Sequence, residues 1–369
     1  MSVRLVGITQ GKVSDPLASS GLNHSFFGAL NRRTQLVDVL DNSLTGWRRG
    51  WNALRSFRPQ RDLWRERFDL NLWSFDQLSR QAGNLLAGRQ DFQAVFQLRV
   101  LYTPGLLPCP WPYFLFIDNT YALSMRYYPP WAPMGPSESR RWLELERQTY
   151  HQAQAVFCRT EWVRRSLLED YGLPPERAVH AGAGSHFGPD ALPDGKQIDD
   201  GRTILFVGKE MRRKGVPLLL QAFEQVRRAV PDARLLLVGR DIDVRQPGVE
   251  ALGKISDRQR LRQLYAEASL FVLPALFEPV SNVVPEAMCY HLPCIVSDGG
   301  GLADLVLDGE TGYIVPAGQV EPLAQRMIEL LQDGEKRRRM GERGVQRTRE
   351  TLNWEQVVEN MLPYLERVA

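Results

Sequence analysis

The sequence predicts an α/β protein made of two domains, each a doubly wound parallel β-sheet. Short apolar runs alternate with amphipathic, helix-length segments along the whole chain. A stretch rich in Gly, Pro and Asp and poor in apolar residues, 187–202, separates two such series. The length of 369 residues is enough for two domains that each bury a core. Parallel sheets of this kind should face each other across a central cleft, lined by the carboxyl ends of their strands.

The predicted domains and elements follow this alternation. We place an N-terminal domain at 1–190, a C-terminal domain at 200–350, and a last helix at 351–369 that packs back on the N-terminal domain. In the first half we expect strands at 3–8, 37–40, 95–101, 113–117, 155–158 and 179–183, with helices at 25–33, 69–88, 138–152 and 161–171. In the second half we expect strands at 203–207, 234–238, 270–273, 294–297 and 312–315, with helices at 216–230, 256–268, from 282, around 304, and at 320–332, 335–350 and 353–368.

The composition argues against several classes of protein. Hydrophobic residues make up 43% and charged residues 24%, as in globular proteins. The net charge of +3 is too small to produce a strong electrostatic field that would attract nucleic acid. No apolar stretch is long enough to cross a bilayer, and the N-terminus lacks the apolar core of a signal peptide. The four scattered cysteines suit a reducing compartment. We therefore expect a cytoplasmic protein that binds no nucleic acid.

A metal site is the first alternative to consider in the second half. Cys289, His291 and Cys294 are close in sequence and could in principle hold zinc. A closed zinc site needs a fourth ligand, however, and no second Cys/His pair is evident. We therefore expect no metal.

The segment 274–304 carries the strongest functional pattern in the chain. The apolar run 270–273 should be a buried strand, and Glu278 lies in the loop after it. Pro285 is tolerated only in the first turn of a helix, so the helix must begin near Asn282. Glu286 then lies on that opening turn, eight positions after Glu278.

This arrangement favours an anionic ligand that also carries hydroxyl groups. The free backbone N–H groups of a helix start, here those of Ser281, Asn282 and Val283, can bind an anion. Carboxylates on either side can accept hydrogen bonds from hydroxyls, so the pattern suits a nucleotide sugar. Alternatively, the two glutamates have only a structural role, because acidic residues near a helix N-terminus also complement the helix dipole. These residues alone leave both interpretations open.

A basic loop opens the second half, between the strand 203–207 and the helix 216–230. It contains Lys209 and Lys214 and could hold phosphates through ammonium groups and backbone N–H groups together. It lacks the spacing of a Walker loop, and a solvated charge cluster is the alternative. The glycines of 181–186 do not form a dinucleotide fingerprint, because the third glycine is missing and no helix pattern follows.

Two positions in the first half are candidates for the ligand crevice. Gly21 ends the loop after the first strand, where backbone can approach a ligand closely. Asp118 follows the buried strand 113–117 at its carboxyl end, which makes it a candidate catalytic residue. Asp is also a common helix cap, and the sequence does not decide between these roles.

The segment 47–67 combines arginines with aromatic residues. It holds seven arginines against Asp62 and Glu66, interleaved with Trp47, Trp51, Phe57 and Trp64. It can be a solvated surface segment with aromatic anchors in the core, a contact to a lipid-linked acceptor or the inner membrane face, or, least favoured, a site for single-stranded nucleic acid.

The second half resembles glycosyltransferase family 4, a family of retaining enzymes with the GT-B fold of two Rossmann-like domains. The resemblance covers 150–368 and is fainter before that. It includes the E-x7-E pair Glu278 and Glu286 and the Gly-x5-Lys-Gly loop at 208–215. It also includes Leu-Tyr-Ala at 264–266, Glu-Ala-Met at 286–288, Gly300-Gly301 with Asp304, and Asp-Gly-Glu-Thr-Gly-Tyr at 308–313.

The resemblance implies roles for these residues. Glu278 would hold hydroxyls of the donor sugar, Glu286 would hold the ribose, and Lys209 and Lys214 would clamp the diphosphate. The sequence also departs from the family pattern. Lys209 replaces an Arg, Pro279-Val280-Ser281 replaces Gly-Phe-Gly, Asp304 replaces a Glu, and no histidine follows Ile117.

These observations together predict a retaining, metal-independent glycosyltransferase. It would move a hexosyl group from a nucleoside-diphosphate sugar to a carbohydrate or lipid-linked acceptor, in surface polysaccharide or glycolipid synthesis. No cofactor beyond the donor substrate is expected. The alternatives are a sugar-nucleotide epimerase or phosphorylase of the same fold, and a non-catalytic nucleotide-sugar-binding protein.

Overall fold

The computed structural model describes residues 3–11, 21–105, 108–187, 199–240 and 244–368. The chain divides into two compact units. The first comprises Met1–Gly182 and Trp354–Ala369, and the second comprises Ala183–Asn353. Most of the predicted loop at 10–21, including Ser19 and Ser20, and most of the predicted linker at 187–202 lie outside the described residues.

The strands, in chain order, are β1 Arg4–Thr9, β2 Gln35–Asp41, β3 Ala94–Leu98, β4 Tyr113–Ile117, β5 Ala155–Cys158, β6 Ala178–His180, β7 Thr203–Val207, β8 Arg234–Val238, β9 Val249–Gly253, β10 Leu270–Leu273, β11 Cys294–Ser297 and β12 Gly312–Val315.

The α-helices are α1 Leu22–Arg33, α2 Gly46–Ser56, α3 Arg61–Asp69, α4 Leu72–Leu86, α5 Tyr121–Tyr127, α6 Pro136–Gln152, α7 Glu161–Glu169, α8 Val216–Ala229, α9 Arg258–Glu267, α10 Val283–Cys289, α11 Val320–Gln332, α12 Gly334–Glu350 and α13 Trp354–Leu365. Short 3-10 helices cover Pro129–Trp131, Gly301–Asp304 and Glu366–Val368.

The first unit is built on a parallel sheet of order β2-β1-β3-β4-β5-β6 among the described residues. Strands β3, β4 and β5 are buried on both faces, which explains their continuous apolar sequences. Phe96, Phe114 and Phe157 stack on one face, with ring centroids 6.0–6.4 Å apart. The last helix, α13, covers this face beside α1, and Trp354 lies 6.0 Å from Phe26 between ring centroids.

The second unit is built on a parallel sheet of order β12-β11-β10-β7-β8-β9. The predicted fold class of two doubly wound parallel sheets is therefore confirmed. In this second sheet the sequential order of the strands reverses between β7 and β10. Doubly wound sheets bind ligands at such a switch point, outside the carboxyl ends of the strands.

The structure corrects several predicted elements. Strand β9 was missed because it is an edge strand whose side chains are mostly exposed, so it lacks an apolar run. The strand predicted at 95–101 ends at Leu98, because the next residue, Arg99, has a positive φ of 66°. Helix α5 was missed because it has only seven residues, and the arginine-rich segment 47–67 forms α2 and most of α3.

Candidate active site

Three loops meet at the carboxyl edge of the second sheet. They follow β7, β10 and β11, which are neighbours around the switch point. Main-chain hydrogen bonds join them: the Leu276 N–H donates to the Arg213 carbonyl at 2.8 Å, and the Glu278 N–H donates to the Gly299 carbonyl at 2.8 Å. The site is therefore held by backbone as well as by side chains.

Glycines allow the basic loop to pack closely against its surroundings. Gly215 has φ +77°, and a Cβ there would lie 1.9 Å from the Pro274 carbonyl oxygen. A Cβ at Gly208 would lie 2.6 Å from Cδ of Lys214. The glycines thus bring the loop against the end of β10 and leave room for the Lys214 side chain.

Glu278 is held by two cations. Its Oε2 atom lies 2.8 Å from Nζ of Lys214 and 3.2 Å from Nη1 of Arg213. The carboxylate is buried, at 6% exposure. Burial acts to raise the pKa of Glu278, but the charges of Lys214 and Arg213 outweigh it and lower the pKa below its ordinary value. Glu278 is therefore ionised at neutral pH.

Arg213 is a site residue that the sequence analysis missed. Its Nε and Nη2 atoms donate to the two carboxylate oxygens of Glu210 at 3.0 and 3.1 Å, and its Nη1 donates to the Phe277 carbonyl at 2.6 Å. Burial acts to lower its pKa, but Glu278 and Glu210 raise it above its ordinary value. Arg213 thus ties the basic loop to the loop of Glu278.

The second carboxylate of the pair has a different environment. Helix α10 begins at Val283, with Asn282 at its N-cap, close to the predicted start. Glu286 lies on its first turn, and Tyr265 donates a hydrogen bond of 3.1 Å to its Oε2 atom. Burial raises the pKa of Glu286 to about 7, against a smaller opposing effect of that hydrogen bond. The pKa values of the two glutamates are therefore shifted in opposite directions.

The comparisons with known proteins agree with this geometry. The family model described as "Glycosyl transferases group 1" matches residues 201–333, which include β7, β10, β11 and the three loops. Over these residues the chain is similar to the group 1 glycosyltransferases. The family resemblance and the GT-B fold drawn from the sequence are thereby confirmed at the level of the group.

The relatives of this chain include two curated mycobacterial proteins. The chain is 28% identical over 258 residues to alpha-maltose-1-phosphate synthase of Mycolicibacterium smegmatis, covering 61% of this chain and 66% of that protein. It is 29% identical over 207 residues to phosphatidyl-myo-inositol mannosyltransferase of Mycobacterium leprae, covering 49% and 55%. The matched regions thus span between half and two thirds of these relatives.

A similar solved structure is sucrose-phosphate synthase of Thermosynechococcus elongatus. Its TM-score to this chain is 0.72 at 18% identity, and the alignment covers 99% of both chains. At this identity the likeness shows the fold alone.

The other residues predicted to bind the donor have varied surroundings. Ser281 is buried at 4% exposure, and Asn282 and Val283 are half-buried at the start of α10. Lys209 is exposed in the basic loop. The structure brings Lys214 and Arg213 of this loop to the Glu278 carboxylate.

The three residues considered for a metal make separate contacts. The Cys289 thiol donates to the Ser185 hydroxyl at 3.5 Å, and the Cys294 thiol lies 3.4 Å from the Leu292 carbonyl oxygen. His291 is half-buried and has a positive φ of 57°. The part of the chain that the structure describes contains no group of three His, Cys, Asp or Glu side chains placed to hold a metal ion.

In the first unit, Gly21 and Asp118 both lie at the carboxyl edge of the sheet. Gly21 precedes α1 with φ 86°, a conformation that favours glycine. Asp118 directly follows β4 and is half-buried. The cap of the next helix is Thr120, whose hydroxyl accepts from the Leu123 N–H, so Asp118 does not have the capping role that the sequence left open. Its carboxylate makes no hydrogen bond or ion pair with any described residue.

Proposed function

We propose that the chain is a retaining glycosyltransferase that moves a hexosyl group from a nucleoside-diphosphate sugar to an acceptor hydroxyl. The observation that carries the proposal is the cluster of Lys214, Arg213 and Glu278 at the switch point of the second sheet. Such a cluster offers cations to a diphosphate and a carboxylate to sugar hydroxyls within one small volume.

The cations support departure of the diphosphate. When the bond between the anomeric carbon and the diphosphate oxygen breaks, negative charge develops on that oxygen. Lys214 is in place to stabilise this charge in a largely buried setting, where a charge interaction is stronger than in water. We propose that Lys209, which is exposed on the same loop, adds a second cation, and that the reaction needs no metal.

The carboxylates support binding of the two sugars of the donor. Glu278 is ionised and can accept hydrogen bonds from hydroxyls of the transferred hexose, and its charge stabilises an oxocarbenium-like transition state. Glu286, with a pKa of about 7, can accept from the ribose hydroxyls once it ionises. The acceptor oxygen bonds to the anomeric carbon on the face that the diphosphate leaves, and the acceptor proton passes to the departing diphosphate oxygen.

The acceptor is proposed from weaker observations. Asp118 has a carboxylate without a hydrogen-bond partner among the described residues and can orient an acceptor hydroxyl. One relative is named as a synthase of alpha-maltose-1-phosphate, a sugar phosphate, and another as a mannosyltransferase of phosphatidyl-myo-inositol, a lipid. We propose a carbohydrate or lipid-linked acceptor, as in surface polysaccharide or glycolipid synthesis.

The test is transfer by the full chain with a panel of nucleoside-diphosphate sugars in the presence of EDTA. A nucleoside diphosphate should be released, and the anomeric configuration of the product, read by NMR, should match that of the donor. Inversion would exclude the retaining mechanism, and activity only with added metal would exclude the proposed role of the cations. Turnover that needs inorganic phosphate, or that converts the donor without an acceptor, would indicate the phosphorylase or epimerase instead. Donor binding without any turnover would indicate the binding protein.

A further inference from the structure

Helix α2 carries an exposed apolar face in the first unit. It comprises Trp47 (72% exposed), Trp51 (45%) and Leu54 (67%), together with Phe57 (54%), which directly follows the helix. The first three are spaced by four and three residues and so lie on one side of the helix. Single exposed apolar residues are common, but three on two turns of helix with a fourth directly after the helix indicate an interaction surface.

The opposite side of α2 is polar and buried. Asn52 and Ser56 are its buried residues. The Asn52 side chain donates to the Phe68 carbonyl at 2.8 Å and accepts from the Asn71 amide at 3.0 Å. The usual order of a surface helix, apolar inside and polar outside, is therefore reversed. Hydrogen bonds fix α2 with its apolar face directed outward.

Helix α3 adds to this fixed orientation. The Trp64 indole N–H donates to the Ala53 carbonyl at 2.9 Å, and its ring meets that of Phe57 edge-on, with centroids 5.5 Å apart. Two separate contacts thus join α3 to α2. The exposed face is consequently part of a defined helical pair.

The charges beside the apolar face are cationic and unneutralised. Helix α2 has no acidic residue, and Arg48 and Arg55, two turns apart, flank the apolar face. Neither arginine forms an ion pair with a residue that the structure describes. Two of the arginines of α3 differ in this respect, since Arg65 pairs with Glu66 at 3.0 Å and Arg67 pairs with Glu138 at 2.7 Å.

We propose that this face binds the surface of an anionic lipid bilayer. Helix α2 would lie in the plane of the interface, with its tryptophans at the level of the headgroups and its arginines on lipid phosphates. None of the helices in the described ranges is long and apolar enough to span a membrane, so the contact would be peripheral.

The charges argue against the other occupants of this face. A second copy packed on it by two-fold symmetry would bring the same arginines together, which is unfavourable. A nucleic-acid site would call for a broadly basic surface, whereas the net charge of the chain is only +3. An anionic bilayer supplies both an apolar layer and a dense array of negative charge.

Vesicle flotation of the full chain, without donor or acceptor, tests the proposal independently of the transfer reaction. The protein should float with vesicles of equal parts phosphatidylcholine and phosphatidylglycerol and should stay behind with phosphatidylcholine alone. Arg48→Gln with Arg55→Gln should weaken binding by about 25-fold, because each arginine near an anionic surface contributes roughly fivefold. Trp47→Ser with Trp51→Ser should abolish detectable binding.

Matched variants in the second unit control for general effects of charge and apolarity. Arg228→Gln with Arg339→Gln removes the same charge from exposed positions, and Leu276→Ser removes an apolar side chain that is 48% exposed. Both should float as the wild type does. Circular dichroism checks that all variants fold.

Three results would overturn the proposal. They are no flotation of the wild type with anionic vesicles at low salt, flotation of the tryptophan variant like the wild type, and equal loss in the second-unit controls. A lipid-free dimer, seen by analytical ultracentrifugation and lost in the tryptophan variant, would also contradict it by assigning the face to a second copy.

Discussion

The carboxyl edges of the two sheets are built in different ways. In the second unit, the charged side chains satisfy one another: Glu278 is paired with Lys214 and Arg213, and Arg213 is paired with Glu210. In the first unit, Asp118 lies at the corresponding end of β4 without a hydrogen bond or ion pair among the described residues. The charged groups of the second edge therefore have partners within the protein, whereas the Asp118 carboxylate of the first edge has none among the described residues.

This difference has a consequence for ligand binding. A diphosphate that binds Lys214 must compete with Glu278, which already occupies the ammonium group at 2.8 Å. Donor binding would therefore release the Glu278 carboxylate for the hexose at the same step. A ligand that binds Asp118 in the first unit would displace no hydrogen-bond or ion-pair partner among the described residues.

The largest effect is expected for Glu278→Gln. Turnover should fall by about 10³-fold or more, because a charge aimed at the transition state is lost. Affinity for the nucleoside diphosphate should stay the same or rise, since Lys214 loses its competing partner. Steady-state kinetics and calorimetry measure the two quantities, and Glu321→Gln, at an exposed position on α11, is the matched control. Equal losses of turnover and affinity would show that Glu278 is structural.

Arg213→Met should destabilise the second unit strongly. It leaves Glu278 with one cation and removes the partner of Glu210 and of the Phe277 carbonyl. Loss of one partner from a buried ion pair costs about 3–5 kcal/mol of unfolding free energy. In the first unit, Arg65→Met removes an exposed pair with Glu66 and should cost about 1 kcal/mol or less. Urea denaturation compares the two variants, and similar costs would mean that the Arg213 cluster adds no stability.

The pH dependence of stability should report the buried carboxyl groups of both units. Glu286 in the second unit and Glu146 in the first each have a pKa raised by burial to about 7. Between the ordinary pKa near 4.5 and about 7 the unfolded chain has lost these protons and the folded chain has not, so stability falls as pH rises through that window. Below the ordinary pKa, each raised pKa adds about 3 kcal/mol to the free energy of unfolding, and this contribution is fully lost above pH 7.

Neutral variants separate the two contributions. Glu286→Gln and Glu146→Gln should each remove part of this slope in urea denaturation between pH 4.5 and 8. Tyr265 and Tyr171 are hydrogen-bonded to these two carboxyl groups, and both substitutions keep an acceptor for them. An unchanged slope in either variant would contradict the raised pKa of that group.

Asp118→Asn should affect turnover alone. A residue that orients or polarises an acceptor hydroxyl contributes about 10²-fold. Because Asp118 makes no hydrogen bond or ion pair with described residues, the free energy of unfolding should change little, and nucleoside-diphosphate affinity should not change. Turnover with a saturating acceptor is the measurement. Wild-type turnover would remove Asp118 from the proposed acceptor site.

The smallest effects should separate the two lysines of the basic loop. Lys214→Ala should weaken nucleoside-diphosphate binding about tenfold or more, since a charge-assisted contact in a largely buried site is lost. Lys209→Ala should weaken it only about twofold to fivefold, because Lys209 is exposed and its charge is screened. Calorimetry at two salt concentrations distinguishes them. A larger effect at Lys209 would mean that the loop rearranges when the ligand binds.

The sequence was informative where local rules decide structure. Pro285 located the start of α10, and the apolar runs located β4, β5, β7, β8, β10, β11 and β12 at their observed bounds. Gly215 marked the close approach of the basic loop, which its contact with Pro274 explains. These features depend on neighbours in the chain or on burial of whole strands.

The sequence was less informative where tertiary contacts decide. In the sequence, Arg213 is one more cation in a basic loop. Only the packing of that loop against Phe277 shows that the Arg213 side chain is buried. The Glu210-x2-Arg213 spacing was the available signal, and it is too common to interpret alone. Likewise, the orientation of α2 follows from Asn52 and Asn71, whose hydrogen bonds could not be read from the pattern of arginines and tryptophans.

The most direct test of the central claim is titration calorimetry of nucleoside diphosphates with the full chain in EDTA. The wild type should bind one family of diphosphates, Lys214→Ala should bind it about tenfold or more weakly, and Glu278→Gln should bind it at least as tightly as the wild type. Equal affinity in wild type and Lys214→Ala, or no binding by folded wild type, would contradict the assignment of the donor site to this cluster.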